Sequence, residues 1–405
     1  MSSNEWQELT LDDIADIIMG QSPSGDTCNN EGIGSPLLNG PTEFGEFYPS
    51  AVQYTTDPKK FSKEGDILFC VRGSTTGRMN WSNSKYAIGR GLAAFRHKLG
   101  VDYQHFLKGL IDLHLNDLLF QATGSTFPNV SSQQLKSLKV NVPKHQAQLR
   151  ISKILSTFNS KIENNLATNQ TLEEIARTLF KEWFVNFNYP NADGNLKHSE
   201  FGEIPESWEV NGIGTISYVQ NGYAFKSKDF QEQGEVGIIK IKNISGNVVD
   251  IQNTDFVDAS VVSSLDEKFK IESGSLLIAM TGAEVGKIGL VPLTDKNLWL
   301  NQRVGMFKEN IPFGNLYMYL LLSTDTYQTA IQNSALGSAQ PNISASAIES
   351  IRAIIPPAEL IAAFGRIAQP MFEKILDNLA ENETLKNTRD SLLPKLMSGE
   401  IEVNG

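Results

Sequence analysis

The chain has 405 residues, 40% of them hydrophobic, and a formal net charge of −11. This length predicts two or three domains rather than one core, and so acidic a chain binds polyanions poorly unless its basic residues gather on one face. We find no apolar run long enough to predict a membrane span and no secretory signal; two cysteines, Cys28 and Cys70, without a metal or redox motif suggest ordinary thiols of a cytoplasmic protein.

The first 143 residues have the pattern of a mixed α/β domain. Leu9–Ile18 predicts a short helix or strand, and apolar runs at 36–38, 66–71 and 91–95 predict short strands between Gly-, Ser- and Asn-rich turns. An amphipathic pattern then predicts a helix over Asp102–Gln121.

A long helix is predicted from Lys144 to Trp183, because its apolar residues recur with spacings that alternate between four and three. This period of 3.5 is typical of a helix packed along a partner helix. The partner is predicted in the same chain, since the pattern returns 213 residues later with both asparagines in place. The predicted seam consists of Ile151, Leu155, Phe158, Ile162, Asn165, Asn169, Leu172 and Leu179 with Ile375, Asn378, Asn382, Leu385 and Leu392.

The two halves of the chain read as copies of one unit. Gly124–Pro143 aligns with Gly337–Pro356 without a gap, and Glu64–Leu68 matches Ser273–Leu277. The alternative, two unrelated amphipathic helices, does not explain these shared flanking residues. The predicted domains are a first globular domain at 1–143, a central helix at 144–190, a second globular domain at 191–355 and a C-terminal helix at 356–405.

The predicted fold is therefore α/β (α+β), with two similar globular domains separated by two long antiparallel helices in a pseudo-two-fold repeat. Antiparallel pairing would place Asn165 beside Asn382 and Asn169 beside Asn378. Pro370 lies inside the second helix, where a proline costs roughly 3 kcal/mol, so we expect that helix to break and restart there. His198–Val210 is predicted to be a linker and Leu316–Ala330 a helix equivalent to the one predicted in the first half.

The sequence lacks a catalytic constellation, which predicts a protein that is not an enzyme. Gly282–Lys287 has too few residues between its glycines for a phosphate loop, and Ile288 stands where magnesium binding needs Ser or Thr. The five histidines lack metal-ligand spacing, so we expect no metal site, and His105 and His114 are assigned surface or capping roles.

Matched polar loops are the remaining candidates for function. Arg, Lys, Gln, Asn, Ser and Thr on glycine-rich loops are the residue types that contact phosphates and base edges. Ordinary surface β-turns remain the alternative for any single loop. The candidate DNA-binding residues are Asn39, Arg72, Ser74, Thr75, Arg78, Arg90, Asn129, Lys240, Asn243, Thr281, Lys287, Gln302, Arg303 and Asn342.

Over its full length the chain resembles the specificity subunit of type I restriction–modification enzymes. The resemblance rests on the duplicated architecture and on four segments: Glu64–Leu68, Lys181–Phe187, Phe201–Trp208 and Leu392–Ile401. It implies that each globular domain is a target recognition domain for one half of a bipartite site in double-stranded DNA. It also implies that the helices set the spacing and dock two modification (methyltransferase) subunits, that restriction subunits join the complex, and that S-adenosylmethionine binds the modification subunits and not this chain.

Two other classes of protein stay open at this point. A two-headed coiled-coil scaffold that binds protein would also need two globular domains and two long helices. A standalone DNA methyltransferase is disfavoured, because the sequence has neither the catalytic motif of amino-methyltransferases nor a Gly-x-Gly cofactor loop after a strand.

Overall fold

The computed structural model describes residues 6–122, 128–244, 246–335 and 341–403, and the chain divides into two compact units. The first unit comprises residues 1–164 with 384–405, and the second comprises 165–383. Across the described ranges, no helix combines the length and the hydropathy that crossing a bilayer requires.

In its described residues the first unit contains ten short strands and four short α-helices, followed by the start of a long helix. In chain order these are β1 (Gln7–Thr10), α1 (Leu11–Ile14), β2 (Ala15–Met19), β3 (Cys28–Asn29), β4 (Ser35–Leu38), β5 (Gln53–Thr55), β6 (Ile67–Cys70), β7 (Met79–Trp81), β8 (Ala87–Ile88), β9 (Leu92–His97), α2 (Gln104–Leu113), α3 (Leu115–Gln121), α4 (Ser132–Lys136), β10 (Lys139–Val142) and α5 (His145–Phe180).

Two four-stranded sheets organise this unit. One sheet has the antiparallel order β2-β9-β6-β7, and the other has the order β3-β5-β4-β8, in which β4 and β8 run parallel. All four residues of β6 are buried, which explains why this strand is continuously apolar rather than alternating. A separate ribbon pairs β1 with β10 and joins the start of the domain to the residues just before α5.

The second unit repeats this plan. Its elements are β11 (Leu196–Ser199), β12 (Gly202–Pro205), β13 (Glu209–Gly212), β14 (Ser217–Asn221), β15 (Phe230–Gln231), β16 (Val236–Ile239), β17 (Asp255–Val257), α6 (Ala259–Val262), β18 (Lys270–Ile271), β19 (Leu276–Ala279), β20 (Ile288–Leu290), β21 (Asn297–Leu300), β22 (Val304–Glu309), α7 (Gly314–Leu322), α8 (Asp325–Ser334), α9 (Ala345–Glu349), β23 (Arg352–Ile355) and α10 (Ala358–Ser398). The ribbon β13-β23 and the sheet β14-β22-β19-β20 correspond to β1-β10 and β2-β9-β6-β7.

The second sheet is duplicated as well, with one strand added. Its order is β15-β17-β16-β21-β18, and β16 and β21 run parallel as β4 and β8 do. The internal repeat predicted from sequence is therefore confirmed in strand order and strand direction.

The two long helices pack antiparallel within the second unit. The buried Asn165 donates from Nδ2 to Asn382 Oδ1 at 2.8 Å, and Asn378 Nδ2 donates to Asn169 Oδ1 at 2.7 Å. Both pairings are those that the sequence predicts. Because a one-heptad slip would place most of these amides against apolar side chains, the asparagines fix the register of the helices at some cost in stability.

The same seam continues within the first unit. There Asn159 Oδ1 accepts a hydrogen bond from Arg389 Nη1 at 2.8 Å, and Gly109 of α2 lies against Leu155 and Leu393. The close approach at Gly109 brings α2 directly onto the helix pair, since a Cβ there would lie 2.8 Å from the Leu393 side chain.

The expected break at Pro370 was wrong. The helix α10 runs without interruption from Ala358 to Ser398. Pro370 and Arg366, whose carbonyl loses its helical partner, both lie on the exposed face, where water can hydrogen-bond that carbonyl. The buried Ala368 and Ile375 keep the helix packed on either side of the proline.

Three other boundaries differ from the sequence-based predictions. Lys181–Val185 forms a π-helical turn after α5, and the predicted linker His198–Val210 contains most of the hairpin β11-β12. The helix predicted over Asp102–Gln121 consists of α2 and α3, which are separated at His114.

Replacing one seam asparagine should destabilise the second unit more than replacing a bonded pair. In Asn165→Ala the buried amide of Asn382 loses its donor, which should cost about 1–3 kcal/mol, whereas the double change Asn165→Leu/Asn382→Leu removes both polar groups and should cost less. A urea titration followed by circular dichroism measures both. The exposed Gln170→Ala on the same helix is the control, expected within about 0.5 kcal/mol of wild type. A double variant less stable than the single one would contradict this account.

Acidification should destabilise the first unit through His97. This imidazole is 2% exposed, its Nδ1 accepts a hydrogen bond from Leu99 N, and its Nε2 lies 3.2 Å from Gln148 Oε1. Burial lowers the pKa of His97 to about 4. Between pH 6.5 and 4 the unfolded chain therefore binds a proton that the folded chain does not, so the free energy of unfolding should fall as pH falls, by about 3 kcal/mol at pH 4.

The variant His97→Gln lacks this titration. Its stability deficit relative to wild type, measured by chemical denaturation, should therefore shrink between pH 7 and pH 4. A deficit that stays constant over this range would show that His97 does not titrate as its burial requires.

Candidate nucleic-acid interface

Four loops of the first unit meet at one edge of its two sheets. They are residues 39–44, 71–78, 89–91 and 128–131, and backbone hydrogen bonds join them. Val71 N donates to Gly91 O at 2.9 Å, Val130 N donates to Val71 O at 3.0 Å, and Gly89 N donates to Leu38 O at 2.8 Å. These loops form the surface that we call the first loop surface.

The second unit builds the same surface with equivalent bonds. Met280 N donates to Arg303 O at 3.0 Å, Ile343 N donates to Met280 O at 3.0 Å, and Asn301 N donates to Ile239 O at 3.1 Å. The loops that contain or follow Ile239, Met280, Asn301, Arg303 and Ile343 form the surface that we call the second loop surface. The repeat therefore preserves the backbone network of the loops while their side chains differ.

A glycine directly after an edge strand of each unit, β2 in the first and β14 in the second, permits this convergence. A Cβ on Gly20 would lie 2.1 Å from Gly89 O, and a Cβ on Gly222 would lie 2.1 Å from Asn301 O. Because no side chain fits at these distances, only glycine lets the strand end pass so close to the neighbouring loop.

Arg72 and Arg90 present free guanidinium groups on the first loop surface. Both side chains are exposed, and neither makes a hydrogen bond or ion pair to another residue in the described ranges. Arg72 is held through its backbone, which forms a bridge with Asn129, and Arg90 is held by a hydrogen bond from its N–H to Ser22 Oγ at 3.2 Å. Ser74 lies exposed on the same loop as Arg72.

Arg78 differs, because its side chain supports the loop surface. Its Nη1 donates to Pro41 O at 3.1 Å and its Nη2 donates to Phe44 O at 2.9 Å, and the guanidinium lies 5.9 Å from the centroid of the Phe44 ring. These carbonyls are uncharged, and no carboxylate among the described residues forms an ion pair with Arg78. The exposed Thr75 lies nearby in sequence on the same loop, with its hydroxyl 3.7 Å from Cys70 Sγ.

Asn39 is oriented by a partner that the sequence did not indicate. Its Nδ2 donates to Gln53 Oε1 at 2.7 Å across the neighbouring strands β4 and β5. Gln53 therefore joins the candidate residues of the first loop surface. Only strand pairing brings these two residues together, so no local sequence pattern could have predicted their contact.

The cations of the second loop surface are mostly neutralised. Lys287 forms an ion pair with Glu284, and Lys240 Nζ lies 2.5 Å from Asp255 Oδ2 and 3.5 Å from the centroid of the Phe230 ring. Arg303 is exposed and makes no side-chain hydrogen bond or ion pair within the described part of the chain.

The remaining candidates of the second unit are neutral. Gln302 and Asn342 are exposed, and Thr281 forms a backbone bridge with Asn342 that is equivalent to the bridge between Arg72 and Asn129. The buried hydroxyl of Thr281 has no hydrogen-bond partner in the part of the chain that the structure describes.

Asn243 does not belong to the surface, and its prediction as a contact residue was wrong. It is 1% exposed, its Nδ2 donates to Asp250 O and Asn253 O, and its Oδ1 accepts from Lys240 N. The side chain therefore holds the loop after β16 together from inside and cannot reach a ligand.

The two surfaces consequently differ in charge. The three arginines of the first surface have no carboxylate partner among the described residues, whereas two of the three cations of the second surface have one. Free guanidinium groups on exposed loops can donate to phosphate oxygens or to the guanine edge. Within the described ranges, no group of three or more His, Cys, Asp or Glu is placed to hold a metal ion.

Hydrogen exchange should separate the supporting arginine from the free one. Arg78→Ala removes two charge-assisted bonds, each worth about 1.5–3 kcal/mol, and should raise amide exchange in residues 41–50 by at least about tenfold. Arg72→Ala should leave this segment unchanged because its guanidinium bonds nothing there. Equal exchange in both variants would contradict a supporting role for Arg78.

Comparison with known proteins matches residues 3–174 and 205–393 to the type I restriction modification DNA specificity domain. The chain is 30% identical over 418 residues to the type I restriction enzyme MjaIX specificity subunit of Methanocaldococcus jannaschii, with 98% of this chain and 94% of that protein aligned. It is 24% identical to the HindI specificity subunit of Haemophilus influenzae, over 98% of this chain and all of that protein.

A solved structure has the same fold. The crystal structure of a type I restriction-modification system S subunit from M. genitalium aligns with a TM-score of 0.62 at 17% identity and covers 98% of this chain and 97% of that one. Since the family match spans both repeats and the relative from M. jannaschii aligns over nearly the whole length, the chain belongs to the type I restriction–modification DNA specificity family.

Proposed function

We propose that this chain is the DNA sequence-specificity subunit of a type I restriction–modification complex, in which each unit reads one half of a bipartite site. The observation that supports this assignment is the duplicated loop network. The same backbone bonds carry different exposed side chains in the two units, as two readers of different half-sites require.

The two loop surfaces would read DNA by different means. Arg72 and Arg90 offer free guanidinium groups that fit the guanine edge or phosphate oxygens. In the second unit Arg303 supplies the free guanidinium, and Gln302 and Asn342 supply amides of the kind that pair with adenine. We therefore expect a larger electrostatic share of affinity in the first half-site than in the second.

The proposal assigns the chemistry of the complex to its partners. The two long helices would set the spacing of the half-sites and dock two modification subunits, which bind S-adenosylmethionine, and restriction subunits would complete the complex. The chain itself would act without catalysis, in the cytoplasm. A protein-binding scaffold without DNA specificity is disfavoured by membership in this family.

Removing a free arginine should affect one half-site and spare the other. If Arg72 reaches a base edge, Arg72→Ala should cost about 1–3 kcal/mol and relax specificity in one half-site, and Arg303→Ala should do so in the other. Selection of bound sequences from a random DNA pool by the complex with its modification subunits measures both effects.

The ribbons provide matched controls for this selection. Lys139→Ala and Arg352→Ala remove exposed cations from β10 and β23, the equivalent strands of the two units, and should change neither half-site. A uniform loss of affinity with a shallower salt dependence would assign the arginines to phosphates. Unchanged affinity and specificity in both loop variants would contradict the assignment of these surfaces.

The isolated chain should neither bind S-adenosylmethionine nor methylate DNA. The reason is the absence of a cofactor loop and of an amino-methyltransferase motif from the sequence. Calorimetry with the purified chain tests this expectation, with the modification subunit as positive control. Micromolar binding of the cofactor to the isolated chain would contradict it.

A further inference from the structure

A cavity of about 520 Å³ lies in the first unit, outside the first loop surface. Its walls include the aromatic side chains of Phe47, Tyr48 and Trp81, and the helix α5 contributes Asn159 and Glu163. A cavity of this volume accommodates a small organic molecule or the end of a long side chain.

The charges of the lining are negative and uncompensated. Its described charged residues are Glu64 and Glu163, and neither carboxylate forms an ion pair with another described residue. The pKa of Tyr48 is raised to about 12 by burial, by a hydrogen bond to Glu163 and by the charges of Glu163 and Glu64. Its phenol is therefore neutral at physiological pH and adds no charge to the lining.

The histidine in this cavity does not offset those charges. His105, which the sequence assigned to the surface or to a cap, lines the cavity, and burial lowers its pKa to about 4. Its Nδ1 lies 3.2 Å from Asn159 Nδ2, and the amide of Asn159 is oriented by Arg389. The imidazole is therefore neutral at physiological pH and packs 4.7 Å from the Trp81 ring.

The aromatic walls favour a positive charge. The face of an indole attracts ammonium and guanidinium groups, most strongly where water is partly excluded. Trp81 is 9% exposed, and the rings of Phe47 and Tyr48 lie 6.4 Å apart. Carboxylates and aromatic faces in one cavity together select a cation over an anion or an apolar molecule.

The second unit shows that the fold does not require this lining. Phe372 stands there in place of Asn159 and Leu376 in place of Glu163, 213 residues later in each case. Both side chains are buried, at 6% and 9% exposure, and the ring of Phe372 lies 5.3 Å from that of Tyr319. Apolar side chains of α10 therefore occupy the positions that correspond to the polar lining residues Asn159 and Glu163 of α5.

We propose that this cavity binds an organic cation, with Glu64 and Glu163 as counter-charges and Trp81 as the aromatic wall. The ligand is an ammonium or guanidinium group, which a free polyamine and a Lys or Arg side chain of another protein both offer. This site is separate from DNA reading and stands whether or not the loop surfaces bind DNA.

Indole N–H signals of the full-length chain provide the test. The five tryptophans give separate resonances in ¹⁵N spectra, and Trp81→Phe assigns the relevant one. Spermidine and N-acetyl-arginine amide should shift the Trp81 signal, whereas N-acetyl-citrulline amide, which has the same shape without the charge, should not. Tighter binding of spermidine would identify a free polyamine as the ligand, and binding of the arginine compound at least as tight would identify a protein side chain.

Matched variants test whether the carboxylate of Glu163 is required for cation binding. Glu163→Gln keeps the shape, and Glu163→Leu introduces the residue of the second repeat, so both should fold; each should weaken cation binding by at least about tenfold. The exposed Glu174→Gln on the same helix should not. The proposal is overturned if no cation shifts the Trp81 signal, if the citrulline compound binds equally well, or if both Glu163 variants bind as wild type does.

Discussion

The hydrogen bonds between seam asparagines are the constraint on which the rest of the structure depends. Each is a buried amide pair, Asn165 with Asn382 and Asn378 with Asn169, and the two pairs are related by the same repeat that relates the domains. An apolar seam alone would allow neighbouring registers at similar energy, whereas a slipped register leaves the amides unpaired in an apolar interior. The asparagines therefore fix one register for two helices whose apolar faces could otherwise pack in several.

The repeat also gives the loops of the two units the same backbone structure. The backbone bonds around Val71 and Met280 are equivalent, and so are the glycines Gly20 and Gly222 that let the loops converge. A fixed backbone with variable side chains lets each unit change what it contacts without changing its fold. The charge difference between the surfaces, with free arginines in one and Lys287 paired to Glu284 in the other, is a direct consequence.

The sequence predicted the structural features that depend on periodicity. It did not predict the features that depend on which residues are buried in the folded chain. The 3.5-residue period and the constant spacing of the repeat predicted the long helices, their antiparallel pairing and the asparagine partners. The continuity of α10 through Pro370 was not predictable, because it depends on which face of the helix meets water. The burial of Asn243 and the place of His105 in a cavity both depend on residues that only the folded chain brings near.

The central claim is that the helix pair sets the distance between two independent readers. Seven residues inserted after Ala167 and seven after Leu379 face one another and preserve the seam and both asparagine pairs. Each helix lengthens by about 10 Å at 1.5 Å per residue, the length of about three base pairs. Selection from a random DNA pool by the assembled complex should return the same two half-site sequences with a longer spacer. An unchanged spacer at full affinity, or altered half-site sequences, would contradict the claim.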